Sequence, residues 1–380
     1  MDRLFCMKEP LLTKEQLDTF ATDGVLVVEN ILTPTELDSA KEGLYEVLNS
    51  HGVNPHDLTN TGRNLMNLSS TNGSGGVLDV FYTPFQLKIA CHERLFQVTK
   101  ELWKMEYAVD DKGEGSTRVH PFGEFNVEEG FVYLDRIGYR IPTKMAEEIA
   151  RQQVEKETTT TLSQTCKKKK KIQPIQRSLT PHLDCCPTTY HSTHKDKWRP
   201  IQCFVSLTDN LHPNTGGFEA APGFHLEFDQ WRHSRPDTIL TKRDARTGVK
   251  TKVSIPPPCM GEYTHIRPVQ DQSVLDRVRH VSVRAGSAVF WDQRIPHANS
   301  YRHDGEEARA VVYCSFLPNV EVNRRYVKRQ LEGFRRGKVP TDQWIEPKGG
   351  GKDEDDSVKE MSCEYEFSAL GKKLMGMEPW

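Results

Sequence analysis

Residues 201–207 read Ile201-Gln202-Cys203-Phe204-Val205-Ser206-Leu207, a short and mostly apolar run with the look of a buried strand. Similar runs follow at Phe218 to Ala221, Val281-Ser282-Val283, Ser287 to Trp291 and Arg309 to Phe316, divided by Pro, Gly and Asn. Short strands parted by turn residues in this way point to an antiparallel jelly roll. Gly216 and Gly217 follow the turn-forming Asn214 without opening a helix, so they read as hairpin glycines and not as a phosphate loop. Residues 232–278 break the series with a polar stretch that contains Pro256-Pro257-Pro258, a loop excursion of the kind that often serves as a lid.

Upstream the texture is helical. Thr13 with Gln16 forms a capping box for a helix carrying Leu17 and Phe20 that stops near Gly24, and Val25-Leu26-Val27-Val28 then reads as a strand. Thr33-Pro34-Thr35-Glu36 opens a second helix, whose stripe Leu37, Ala40, Leu44 and Leu48 must lie on something before Gly52 ends it. After a Gly/Ser-rich loop at 73–76, Leu95, Val98, Leu102 and Met105 mark another amphipathic helix, and strand character resumes at Phe131. Residues 143–178 carry a charged helical stretch, then Thr158 to Thr161 and Lys167 to Lys171, and read as a mobile insertion that buries no face. The lysine run has three readings, a nuclear import address, a patch for an acidic partner and a solvated loop, the last being the plainest.

The chain of 380 residues sets 51 Lys+Arg against 53 Asp+Glu, a formal charge of −2, which argues against binding nucleic acid or anionic membrane by bulk electrostatics. With 36% apolar residues and a mean hydropathy of −0.64 it is polar, yet has ample material for one large core. Length alone would allow two domains. The strand texture favours one domain over 1–345, mainly β with flanking α-helices, then a linker at 346–360 and a tail at 361–380 that docks through Leu370, Leu374, Met375 and Trp380. No run approaches the length needed to span a bilayer. Nine cysteines, an odd number with no CxxC pair and with Cys185 and Cys186 adjacent, suggest reduced thiols in the cytoplasm.

Chemistry concentrates at His182-Leu183-Asp184, where strand alternation turns the imidazole and carboxylate to one face. Alone the triplet is a weak signal. The strand Ser287 to Trp291 leads through Asp292-Gln293-Arg294-Ile295-Pro296 to His297, which would bring a third ligand from a distant strand. Two His and one carboxylate leave three cis positions of a metal open, an arrangement suited to Fe(II) and dioxygen. Twelve residues on, Arg309 heads an apolar strand in which a guanidinium is costly to bury without a partner. A dicarboxylate co-substrate chelating the metal through a 2-oxo acid end, with its far carboxylate on Arg309, would satisfy that charge.

Other assignments compete. His225-Leu226-Glu227 is a second His-x-carboxylate pair, and Asp292 could replace Asp184 as the carboxylate. Tyr190, His191 and His194 could approach a substrate or line a polar loop, Gln202 could touch a co-substrate or merely alternate along its strand, and Cys185 and Cys186 read first as small packed residues.

As a set, these motifs resemble the phytanoyl-CoA dioxygenase superfamily. The resemblance rests on the spacing of His182, Asp184, His297 and Arg309, on Phe20-Ala21-Thr22-Asp23-Gly24-Val25-Leu26-Val27-Val28, and on Asn214 to His225, and covers most of residues 10–345. It implies a double-stranded β-helix of the cupin-like kind, Fe(II) held by His182, Asp184 and His297, and 2-oxoglutarate held by Arg309 with help from Asn299. It also implies a dioxygenase acting on a small-molecule or lipid-like substrate, with ascorbate in support. The retained Asp184 favours hydroxylation over halogenation. The stretches 143–178 and 232–278 depart from the shorter family pattern and leave the substrate open. Two further readings remain: a jelly-roll binding module, and a cupin-like metalloenzyme without an organic co-substrate. Neither gives Arg309 a task.

Overall fold

The computed structural model describes residues 10–70, 72–107, 122–160, 174–235, 238–243, 248–255, 262–338 and 365–380. Its strands are β1 (Val25–Val28), β2 (Val77–Leu78), β3 (Gly130–Arg140), β4 (Leu179–Leu183), β5 (Ile201–Ser206), β6 (Phe218–Ala220), β7 (Thr238–Arg243), β8 (Lys250–Ile255), β9 (Thr264–His265), β10 (Arg279–His280), β11 (Ala288–Asp292), β12 (His297–Asn299) and β13 (Arg309–Pro318). They form two antiparallel sheets, ordered β1-β11-β5-β13-β3-β2 and β10-β6-β12-β4-β9, and a separate β7-β8 hairpin. Neither sheet closes on itself, so the architecture is mixed α and β with two open sheets.

Strand alternation divides the interior in two. On the larger sheet Phe204, Val289, Trp291 and Val311 meet Leu183, Phe218 and Ala220 of the smaller one. Their neighbours Val205, Phe290 and Val312 face the other way, into a core shared with Phe20, Leu44, Leu48, Leu95, Val98 and Leu102 of the helices. The N-terminal helices form as their caps dictate. Thr13 and Thr33 each close a capping box, over Lys14–Asp23 and Pro34–Ser50. Gly24 ends the first with φ 67°, and a Cβ there would lie 2.6 Å from His225 Nδ1, so a side chain is excluded by space as well as by conformation. Among the described residues no helix is long and apolar enough to cross a membrane.

Three expectations change. The stretch 143–178 is not a faceless insertion: Thr143–Thr160 is a helix that buries Ala146, Ile149 and Ala150, while Gln176 accepts from Ile141 N at 2.8 Å and donates to Tyr139 O at 2.8 Å. The spacing of those three apolar residues is helical, but charged neighbours dilute it. Lys167 to Lys171 lie outside the described residues. The stretch 232–278 carries the β7-β8 hairpin, the helix Gln272–Leu275 and β9, and β9 pairs with β4 through His182↔His265. Val281-Ser282-Val283 is not a strand of its own: the ladder takes the preceding Arg279–His280, and Val283 makes one isolated bridge to Asn210. At the C-terminus, the helix Ala369–Leu374 buries Leu374, Met375 follows it into the core, and Trp380 Nε1 donates to Gly130 O at 2.8 Å.

A packed helix at 143–160 makes Ile149→Ala costly, by about 2–5 kcal/mol, read as a lower urea midpoint. The exposed Lys144→Ala should stay within about 0.5 kcal/mol of the parent, and equal midpoints for the two variants would refute the packing.

Candidate metal centre

β12 lies antiparallel to β4, and His297 and His182 are Cα partners across that pair. Their ring centroids are 4.5 Å apart. Asp184, one residue past the end of β4, completes the group: its Oδ1 lies 3.5 Å from His182 Nε2 and its Oδ2 3.5 Å from His297 Nε2. The ligating atoms of the three residues all fall within 4.8 Å of one another, and the set could hold a metal ion.

Backbone carbonyls fix the rings. His182 Nδ1 is 2.8 Å from Thr180 O and His297 Nδ1 is 3.0 Å from Ile295 O. A carbonyl only accepts, so each Nδ1 carries the proton and, in the neutral ring, each Nε2 turns a lone pair toward the centre. Tyr263 stacks on His182 at 4.8 Å, and Trp291 lies 5.2 Å from the His297 ring. Burial opposes ionisation of Asp184, but without a metal a protonated His297, its Nε2 then also carrying a proton, outweighs it together with His182 and Arg199 and holds the carboxyl well below the usual range. Arg199 Nη2 stands 3.7 Å from Asp184 Oδ2, and the guanidinium is itself held by Asp135 at 3.3 Å and by the Tyr133 ring at 4.4 Å.

Arg309 opens β13, opposite Arg140 of β3. Its Nη1 donates to Asn299 Oδ1 at 3.2 Å and its guanidinium lies 5.3 Å from the Phe204 ring. Its Nη2 is buried without an acceptor, and no described carboxylate lies within 4.0 Å. Asn299 is oriented in turn by donating to Tyr313 Oη at 3.2 Å and Gly75 O at 3.3 Å. Arg140 donates to Ser300 O and Tyr301 O, and burial with the like charge of Arg309 lowers its pKa to about 10. Phe204 and Trp291, 6.0 Å apart, link Arg309 to the His297 ring. Among the described residues, Gln202, the register partner of Trp291, leaves Nε2 without an acceptor, and Trp291 Nε1 has none either.

The competing residues lie elsewhere. Asp292 accepts from Arg294 at 2.6 and 2.7 Å and stands outside the three-residue group. His225 is buried at the corner beside Gly24, its Nε2 3.1 Å from Ala21 O. His191 pairs with Asp229 at 2.9 Å on the surface. Tyr190 packs on Phe228, and His194 lines a cavity beside Cys185 whose wall contains none of the three grouped residues. Cys185 is a buried free thiol pushed up by burial, whereas Cys186 is disulfide-bonded, against the reduced state expected from composition. Arg199, Arg140 and Tyr263 escaped the sequence reading because nothing in local spacing marks a residue that supports a ligand from another strand.

Burial, with His297 and its charge beside it, lowers His182 to about 4; burial, with Arg140 and Arg309 beside it, does the same to His303. Unfolded, both rings titrate near pH 6.5. Between about pH 6.5 and 4 the unfolded chain therefore binds protons that the folded chain refuses, and stability falls as pH falls, by up to about 1.4 kcal/mol per pH unit for each ring. Urea midpoints of metal-free protein should follow that slope, and His303→Gln should remove roughly half of it. Parallel pH profiles for the two proteins would remove His303 from the account.

Comparison with known proteins places this geometry. The family model "Phytanoyl-CoA dioxygenase (PhyH)" matches residues 20–310, and the "Gig2-like" model matches residues 264–377. No curated protein sequence matches the chain. Among solved structures, GlcNAc Inducible Gene 2 of Candida albicans superposes with a TM-score of 0.65 at 16% identity, covering 98% of this chain and 78% of that one. A hypothetical protein of Escherichia coli gives 0.60 at 14%, with 97% and 82% covered, and a putative oxidoreductase of Salmonella typhimurium LT2 gives 0.59 at 13%, with 96% and 83% covered. At such identities these structures share the fold alone. The PhyH match extends over most of the chain and includes His182, Asp184, His297 and Arg309, and the protein belongs to the phytanoyl-CoA dioxygenase family.

Proposed function

We propose that the chain is a non-haem Fe(II)- and 2-oxoglutarate-dependent dioxygenase built on an open double-stranded β-helix, hydroxylating an unactivated C–H of a small-molecule or lipid-like substrate. One observation carries this reading: a group of two imidazoles and a carboxylate shares its interior with buried donors that lack acceptors. Arg309 Nη2, Gln202 Nε2 and Trp291 Nε1 are such donors. A buried donor left unpaired costs about 1–3 kcal/mol, more when charged, so three of them in one interior call for an acceptor-rich ligand. A dicarboxylate with a 2-oxo group offers only acceptors.

The donor set fits a hard-to-borderline divalent ion, with His182, Asp184 and His297 on one face and positions left for exogenous ligands. Together with 2-oxoglutarate and dioxygen, Fe(II) there would supply oxidative decarboxylation to succinate and CO2 coupled to oxygen insertion into a C–H bond. The chain's own residues do the rest. Thr180 O and Ile295 O hold the two rings in the ligating tautomer. Arg309 grips the far carboxylate through the fork it presents beside Asn299, which sets the reach of the co-substrate toward the metal. Phe204, Phe218 and Trp291 pack between His297 and Arg309 and set buried aromatic surface there, which favours exclusion of water.

Purified protein with Fe(II), ascorbate and 2-oxoglutarate should release succinate slowly even without the true substrate. Asp184→Ala should abolish that release, and Arg309→Gln should raise the KM for 2-oxoglutarate by roughly 10–100-fold. Calorimetry with Mn(II) in place of iron is the decisive measurement, since absence of Mn(II)-dependent 2-oxoglutarate binding would overturn the proposal.

A further inference from the structure

A cavity of about 450 Å³ lies next to the proposed metal centre. Three of its wall residues tie it to that centre. Cys185 follows Asp184 directly, Gln293 donates from Nε2 to Asp184 O at 3.0 Å, and Glu262 precedes the Tyr263 that stacks on His182. The rest of the lining is unusually cationic. Lys195 is half-buried, its ammonium against Tyr190 O and 4.6 Å from the Tyr190 ring, with no described carboxylate within 4.0 Å. Arg325 and Arg329 reach in from the helix Glu321–Arg335 and come no closer than 4.0 Å to Glu321 and 3.9 Å to Asp196, beyond hydrogen-bond length.

The acidic residues on the wall do not cancel these charges. Glu262 is already committed to the buried Lys197 at 2.7 Å, which leaves Asp196, exposed and loosely placed, against three cations. The helix that carries Arg325 and Arg329 continues the bias outward, since Arg324, Lys328 and Arg335 outnumber Glu321 and Glu332 on its exposed face and Arg336 follows as its C-cap. In a chain whose net charge is −2 this is a local concentration of positive potential, and low-dielectric walls focus such a field into the cleft they enclose.

We propose that this cavity binds an anionic group, phosphate or carboxylate, of the primary substrate, with Lys195, Arg325 and Arg329 as its ligands. The assignment of that anion to the substrate rests on the oxygenase reading. The anion site itself does not, because its residues form no part of the metal group. A substrate anchored there by its charged end would present its uncharged body to the neighbouring metal centre, where position selects which C–H reacts.

The test uses the full chain free of metal, so that it stands apart from 2-oxoglutarate binding. Inorganic phosphate and malonate are titrated separately at low salt by calorimetry; whichever binds names the anion's chemistry. Binding should saturate at one site and weaken with added salt. Lys195→Gln and Arg325→Gln should each weaken it roughly tenfold, while Lys328→Gln, on the same helix but outside the cavity, should bind as the parent does. Arg325 is exposed, so its replacement tests the site even if Lys195→Gln fails to fold. Unchanged affinity in Arg325→Gln and Lys195→Gln, or no binding of either anion beside tight binding of a heparin oligosaccharide, would overturn the proposal, the latter in favour of a macromolecular partner. Loss of Mn(II)-dependent 2-oxoglutarate binding alongside intact anion binding would instead defeat the oxygenase reading alone.

Discussion

The register between β4 and β12 is the constraint on which the rest depends. A slip of one residue would turn every side chain of β12 to the opposite face, and His297 would leave His182 and Asp184 for the outer surface. The register is pinned from both sides, since β12 also pairs with β6 through His297↔Ala220 and Asn299↔Phe218. Between His297 and Asn299 the pairing with β4 shifts, so that three steps from Leu179 to His182 oppose two on β12. Pro181 sits in that irregular stretch, where the missing N–H costs no ladder bond. Alternation along β12 lets one short strand serve two tasks, a ring toward the three-residue group and, two residues on, an amide toward Arg309.

Charge in this interior is arranged at a cost. Arg140 and Arg309 face each other on paired strands, and the first answers its own charge with main-chain oxygens from the turn after β12. Among the described residues Arg309 has only the Asn299 amide oxygen and a phenyl face. A buried guanidinium with an open donor lowers stability, and packed apolar residues of similar volume often serve a fold as well or better. On the proposed oxygenase reading, its place beside two imidazoles and a carboxylate is that of a binding determinant, a task that would offset the cost in stability.

Much of this was legible in the sequence. The capping boxes at Thr13 and Thr33 announced their helices because capping is a local interaction, settled within four residues. His182 and Asp184 could be singled out because strand alternation is also a local signal, and His297 because of the strand that leads to it and the resemblance to a known family; the chain brings their ligating atoms within 4.8 Å of one another. What escaped is non-local. The helix Thr143–Thr160 has only Ala146, Ile149 and Ala150 to bury among many charges, so its amphipathic stripe surfaces only once a partner such as Gly62 is placed against Ile149. β9 is two residues long and is a strand solely because His182 and Leu183 stand beside it. Val281-Ser282-Val283 had the better strand composition, yet the pairing with β6 fell to the polar Arg279–His280 before it, tertiary context overriding propensity.

Arg199 shows how non-local support turns three residues into a prepared site. It bridges Asp135 and Asp184, with the Tyr133 ring against its guanidinium. If an ion claims one oxygen of Asp184, Arg199 keeps its contacts with Asp135 and Tyr133 and needs no new partner. The carboxylate is therefore oriented beside a fixed positive charge before any ion arrives, and the two imidazoles keep their Nδ1 protons on carbonyls that do not move with the metal, so that loss of the Nε2 proton leaves each ready to ligate. Binding then has little reorganisation to bear, and the work has already been done in folding: the residues that do it, Arg199, Asp135, Thr180 and Ile295, come from four separate places in the chain.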